Sequence, residues 1–218
     1  MGTLKKPGRV KSAILNWMGI PISLADGTFW GEWSGKSSSG KTVTADNALQ
    51  LSAVWSCVRL LSESISTLPL KIYKTNIDGS RELAKQHPAY TVLCRRPNSE
   101  MTPSRFMLMV VASLCLRGNA FIEKLYIGSK LVSLNPLLPQ NMIVKRLDNG
   151  RLEYTYTDSK SVKRVIPDKN IMHIRGFGMD GICGMIPIQV GRDVIGTALS
   201  TDEAAGKVFE NGLQTSGL

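Results

Sequence analysis

Cysteine and histidine are scarce in this chain. Cys57, Cys94, Cys115 and Cys183 are far apart, with no CxxC pair, and His87 and His173 are the two imidazoles. A zinc site built on tight local turns has no ligands here. A disulfide scaffold is equally excluded by the low cysteine density, so a reducing compartment is expected. Cys57, Cys94 and Cys115 lie on apolar patterns and read as small core residues. Aromatic residues make up 6% of the 218 residues. The longest apolar run, Phe106–Leu116, is far shorter than the ~20 residues of a membrane span and reads as a buried helix. Acids are also few: 17 Asp and Glu stand against 27 Lys and Arg, a formal charge of +10. Such a surplus points to anionic partners, such as nucleic acid or an acidic protein face.

The N-terminus imitates a secretory signal. Lys5, Lys6, Arg9 and Lys11 precede Ile14–Leu24, and no acid occurs before Asp26. Asn16, Gly19 and Pro21 break the apolar stretch, which argues against secretion. Lys6 stands where myristoylation needs Ser or Thr. The reading is a basic arm with a short amphipathic helix around Val10–Met18. Residues 26–43 are rich in Gly and Ser, carry Trp30 and Trp33, and read as a flexible linker.

Periodicity organises the rest. Ala48, Leu51, Val54, Val58, Leu61 and Ile65 recur at three and four, predicting one amphipathic helix over 45–67 with Thr44 or Asp46 as N-cap. A strand is expected at Leu70–Lys74, turned back at Asp78-Gly79 onto Arg81–Leu83. A short helix fits Pro88–Arg95, with His87 as its cap. Thr102-Pro103 opens a second helix, and Ser104–Leu116 should be the central buried one. Strands follow at 120–127, 130–134, 142–147, 151–157, 162–166 and 171–174, with Asn149-Gly150 the clearest hairpin signal. A Gly-rich loop spans 176–184, and a last helix runs from Pro187 to Glu210. The fold class is α+β, with helices packed on an antiparallel β meander.

Two nucleotide-site patterns fit in letters and fail in context. Gly35–Thr42 (GKSSSGKT) matches GxxxxGK[ST], but no hydrophobic strand precedes it and the helix starts late. Gly176–Gly181 (GFGMDG) matches GxGxxG after a strand, but the helix start at Pro187 is too distant. No GxSxG, HExxH or paired-carboxylate pattern occurs, and His173 reads as a satisfied strand residue. The chain is therefore expected to be no enzyme, with no cofactor and no metal. A stand-alone nucleic-acid-binding module is the alternative. Its aromatic platform would come from Tyr126, Tyr154 and Tyr156 near Lys124, Arg146 and Arg151.

Taken in order, several segments resemble bacteriophage portal proteins of the HK97 type. They are Leu51–Arg59 running to Thr67-Leu68-Pro69-Leu70-Lys71-Ile72-Tyr73, His87-Pro88 with Arg96-Pro97-Asn98, and Gly118-Asn119-Ala120-Phe121. Leu134-Asn135-Pro136-Leu137, Ile171-Met172-His173-Ile174-Arg175 with Gly181, Gly184 and Pro187-Ile188, and Phe209-Glu210-Asn211-Gly212 complete the set. Met185-Ile186-Pro187 departs from the family's usual Ser-Pro.

The resemblance implies residues 44–218 form the wing-like domain, behind an arm and linker over 1–43. The stem, clip and crown of the family would be absent, as in a truncated prophage gene, a split frame or an excised domain. It implies a ring, usually of twelve subunits, at one capsid vertex of the virion, assembled in the host cytoplasm. DNA would enter and leave through that ring. Implied partners are further copies of the chain, the major capsid protein, terminase and neck proteins through the clip, and double-stranded DNA without sequence specificity. No membrane is implied. Without the stem contacts, monomers or loose oligomers are expected. Lys5, Lys6, Arg9 and Lys11 are the candidate DNA or scaffold contacts.

Overall fold

Thr44 starts the first helix by a reciprocal capping box. Its hydroxyl accepts from the Asn47 amide, and the Asn47 side chain accepts from the Thr44 N–H. The computed structural model describes residues 37–178 and 181–212. In it the expected helix over 45–67 is two helices, α1 (Ala45–Ala48) and α2 (Ser52–Ser66). Between them Leu51 takes extended backbone (φ −73°, ψ 122°), which turns its side chain into the core.

The apolar stripe predicted for this helix is only half used. Leu51 is buried, but Leu61 and Ile65 are exposed, and Ser62 and Ser66 are the buried positions of α2. Helix α2 lies along α4 (Pro103–Arg117). Small serine side chains at the contact let the two backbones come close, and this rotates the larger aliphatics outward. Cys57, expected in the core, is exposed for the same reason.

β1 (Tyr73–Thr75) and β2 (Arg81–Leu83) pair antiparallel, as expected, and every residue of both is exposed. α3 (Pro88–Cys94) is capped by His87, whose Nδ1 accepts from the Ala89 N–H at 3.2 Å. Helix α4 is capped by Thr102, carries Pro103 at its first position and buries Phe106, Val110 and Val111. It ends at Gly118 in the left-handed region (φ 67°).

The strands do not form one continuous meander. β3 (Asn119–Ile127), β4 (Lys130–Leu137) and β8 (Ile171–Arg175) make one sheet in the order β4-β3-β8. β5 (Met142–Arg146), β6 (Leu152–Thr157) and β7 (Lys163–Ile166) make a second, a true up-and-down meander. The Asn149-Gly150 turn joins β5 to β6, with Gly150 at φ 79° and the Asn149 side chain accepting from the Arg151 N–H. The final helix is also divided, into α5 (Pro187–Val190) and α6 (Arg192–Glu210), at Gly191.

Strand alternation arranges these pieces in three layers. Ala120 and Ile122 of β3 pack with Leu134, Val92, Phe106 and Val110 on the helix side. Phe121, one residue out of phase, packs with Val144, Tyr154, Ile166 and Ile171 on the side of the second sheet. Residues 119–123 are therefore buried on both faces. A third cluster, Val43, Ala48 and Ile188, joins the start of the described chain to α5. The linker expected over 26–43 is thus packed from Ser37 onward. Ser37 and Val43 are both buried.

Gly118 tests this layering. A Cβ there would sit 1.9 Å from the Met185 carbonyl oxygen, whereas at Gly128, also left-handed, it would meet nothing within 4 Å. Gly118→Ala is expected to cost roughly 3–5 kcal/mol, torsional strain plus overpacking, and Gly128→Ala roughly 1–2 kcal/mol from strain alone. Chemical denaturation of the two variants checks the order.

Candidate functional site

Asn119 is the most heavily used polar side chain in the core. Its Oδ1 accepts from the Gly184 N–H at 2.8 Å and from His173 Nε2 at 2.9 Å. Its Nδ2 donates to the carbonyls of Gly184 (2.8 Å) and Arg117 (3.2 Å). Every hydrogen-bonding position of the amide is filled, which also sets its orientation. His173 then carries its proton on Nε2, and its Nδ1 faces the Tyr154 hydroxyl at 3.4 Å. Burial pushes the Tyr154 phenol above its ordinary value, with a hydrogen bond from Arg175 opposing, so it stays a neutral donor. Phe121 lies on the His173 ring, centroids 4.3 Å apart.

Glycines bring the backbone in close around this amide. The Gly176 N–H donates to the Gly118 carbonyl at 2.8 Å. Added Cβ atoms at Gly184, Gly178 and Gly176 would stand 2.0, 2.3 and 2.9 Å from carbonyl oxygens of Gly118 or Cys183. The GxGxxG look-alike is therefore a packing device. At Gly176 and Gly178 the requirement is space, and at Gly181, left-handed at φ 66°, it is glycine's torsional freedom.

A second joint forms around Asn98. Its Nδ2 donates to the Leu134 carbonyl at 3.0 Å, and its Oδ1 accepts from the N–H groups of Glu100 and Met101. Leu134 N–H returns a bond to the Pro97 carbonyl at 2.8 Å. Pro97 is among the fully buried side chains. The two sheets are also clasped by Glu123 on β3 and Arg164 on β7, paired bidentately at 2.5 and 2.8 Å. Glu123 raises the Arg164 guanidinium above its ordinary value, and the guanidinium stacks over Tyr156 at 5.6 Å.

The P-loop look-alike is partly described and is a strap. Ser38 N–H donates to Asp193 Oδ1 at 2.8 Å, and Ser37 fills the space beside Gly196 of α6. Lys41, the would-be phosphate lysine, is ion-paired to Glu203. Lys41 first, then Lys207, holds the Glu203 carboxyl at about 2, below its ordinary 4.5. Both partners are exposed, so the pair adds little net stability.

These arrangements hold backbone segments together and present no nucleophile–base pair. Among the described residues no group of three His, Cys, Asp or Glu could hold a metal ion, and no helix is long and apolar enough to cross a membrane. The aromatic platform of the nucleic-acid alternative is not formed, because Tyr154 is buried between the sheets. Lys5, Lys6, Arg9 and Lys11 lie outside the described residues, as does the helix expected at Val10–Met18. Pattern searches for catalysis pass over Asn98, Asn119, Glu123 and Arg164. The signal for the two asparagines is their place in the segments Arg96-Pro97-Asn98 and Gly118-Asn119-Ala120-Phe121.

The described residues form a layered α+β body fastened by asparagine joints. The sequence matches the phage portal protein family over residues 52–218, and the chain belongs to that family. It is 31% identical over 178 residues to the portal protein of Enterobacteria phage HK97, covering 80% of this chain and 41% of that protein. It is 33% identical over 188 residues to the probable portal protein of Streptomyces phage phiC31, covering 81% and 40% respectively. The chain thus spans about two fifths of the curated relatives it matches. Its fold is shared with a chain in the neck of a native gene transfer agent particle computed with C12 symmetry. That match has a TM-score of 0.58 and 18% identity, over 84% of this chain and 50% of that one.

Two expectations follow. Asn119→Asp removes both donated bonds and sets a charge against the Arg117 and Gly184 carbonyls, and it should lower stability by roughly 2–4 kcal/mol in denaturant titration. The Glu203 carboxylate is favoured in the folded state, so its contribution is complete above the ordinary value of 4.5 and is lost as pH falls toward about 2. Hydrogen-exchange protection over residues 37–43, corrected for the intrinsic pH dependence of amide exchange, should fall modestly across that window, and Lys41→Ala should show the lower protection already at pH 7, with no change in nucleotide binding.

Proposed function

We propose that this chain serves as part of a portal, a structural ring at the capsid vertex of a virion through which double-stranded DNA is packaged and ejected. The observation that carries this reading is the family match over residues 52–218 together with the HK97 relative. Twelve copies per ring is the number the family resemblance implies. The role is structural rather than enzymatic, with translocation driven by a separate motor. Residues 44–218 correspond to the wing portion, assembled in the host cytoplasm and then resident in the virion. Partners in this reading are other copies of the chain, the major capsid protein, and the terminase and neck proteins reached through the clip region of a complete portal. The net charge of +10 suits a surface beside packaged DNA, contacted without sequence specificity.

Lys5, Lys6, Arg9 and Lys11 are assigned to DNA or scaffold contact. Binding to duplex DNA, titrated from low to high salt, tests this. Removing residues 1–25 takes away these four cations and should reduce the salt slope by roughly 3 to 4 counterions. An unchanged affinity and slope removes the arm from the interface. Native mass spectrometry and negative-stain imaging of the full chain test the ring itself: rings support a competent portal, and monomers support a remnant of one.

A further inference from the structure

Two exposed surfaces of this chain are apolar and opposite in charge. The first runs from the outer side of α2 into the β1–β2 hairpin. Leu61 (50% exposed), Ile65, Leu68, Leu70 and Tyr73 all face outward there. A two-stranded hairpin exposed throughout, as β1–β2 is, lacks the covering layer that such ribbons need for stability. From Lys71 to Lys85 this surface carries four basic residues against two acids. The second surface is the distal half of α6, where every residue from Thr201 to Gly212 is exposed. It bears Val208 and Phe209 (72% exposed), with Asp202 and Glu210 as its remaining acids, since Glu203 is already bridged by Lys41 and Lys207. In a chain of net charge +10, this acidic helix end is a local exception.

We infer that the distal half of α6 from one copy docks on the α2 and β1–β2 surface of the next copy. This rests on the ring reading above and names the surfaces that would make it. The occupant is a second copy because each chain carries both halves of the contact. Both halves bring large apolar side chains for the centre and charges of opposite sign for the rim. A contact between two different patches is head-to-tail, which closes into a ring when the rotation per subunit permits. Identical patches facing each other would instead bring basic against basic, or acidic against acidic.

Mixing two variants tests this. Leu61→Asp disables the first surface and Phe209→Asp the second. Both side chains are exposed, so each variant should melt at the wild-type temperature; Leu68→Asp and Phe209→Ala serve as a second pair. Sedimentation velocity and native mass spectrometry of the full chain should show concentration-dependent oligomers for wild type. Each variant alone should need roughly tenfold or more higher concentration to associate. An equimolar mixture should yield dimers and stop there, because one live surface remains on each partner. Variants that assemble like wild type, or a mixture that stays monomeric, overturn the docking and leave the ring reading standing on other surfaces. A wild-type chain that never associates overturns the docking as well.

Discussion

The carboxamide of Asn119 is the interaction on which the rest of the fold depends. It sits at the point where helix α4 ends, strand β3 begins and the loop before α5 crosses both. Four backbone or side-chain groups from three separate segments meet on its two polar atoms. Each would be costly to bury unpaired, so the amide converts a polar liability into a fixed junction. Glycine at 118, 176 and 184 is the steric counterpart, since any side chain there would hold the three backbones apart. Hydrogen bonding and close approach are one constraint here: neither is available without the other.

From this junction the layering follows. A strand that leaves a fixed point with strict alternation must show Ala120 and Ile122 to one side and Phe121 and Glu123 to the other. The helix side is closed by apolar contact alone. The sheet side has Glu123 buried at its rim, and that carboxylate requires a cation. Arg164 supplies it from the second sheet with bidentate geometry, and so fixes where that sheet can lie. The Asn98 joint performs the same service for the far strand, holding Pro97 and Leu134 in register. A body pinned at three separated points resists shear between its layers.

Much of the architecture was legible in the residues. Thr44, His87, Thr102 and Gly118 mark helix ends through side-chain or backbone chemistry that is local, so a single sequence suffices to find them. The β turns at Gly128 and Asn149-Gly150 are local in the same sense. What escaped was non-local. The break at Leu51 has no Gly or Pro to announce it, and the buried serines of α2 are visible only once its neighbour is in place. The return of β8 to β3, across four intervening strands, leaves no periodic trace. The ion pair of Glu123 with Arg164 spans 41 positions and has no motif. The segments that carry the family resemblance nevertheless include Asn98, Asn119, His173 and Gly184, the residues that fasten this fold.

The two nucleotide-site look-alikes have a shared physical origin. Glycine, serine and lysine recur in phosphate loops because they let backbone N–H groups and a cation approach a ligand closely. The same properties let backbone approach backbone. At Gly176 and Gly178 the close neighbour is a carbonyl of the chain itself, and at Ser37–Lys41 the cation meets Glu203 and the N–H of Ser38 meets Asp193, both on α6. Among the described residues these groups are already engaged by the protein itself. Two patterns defined by small residues and one lysine therefore need a vacancy at the centre before they indicate a nucleotide, and in this chain helix α6 and the Gly118 backbone occupy those centres.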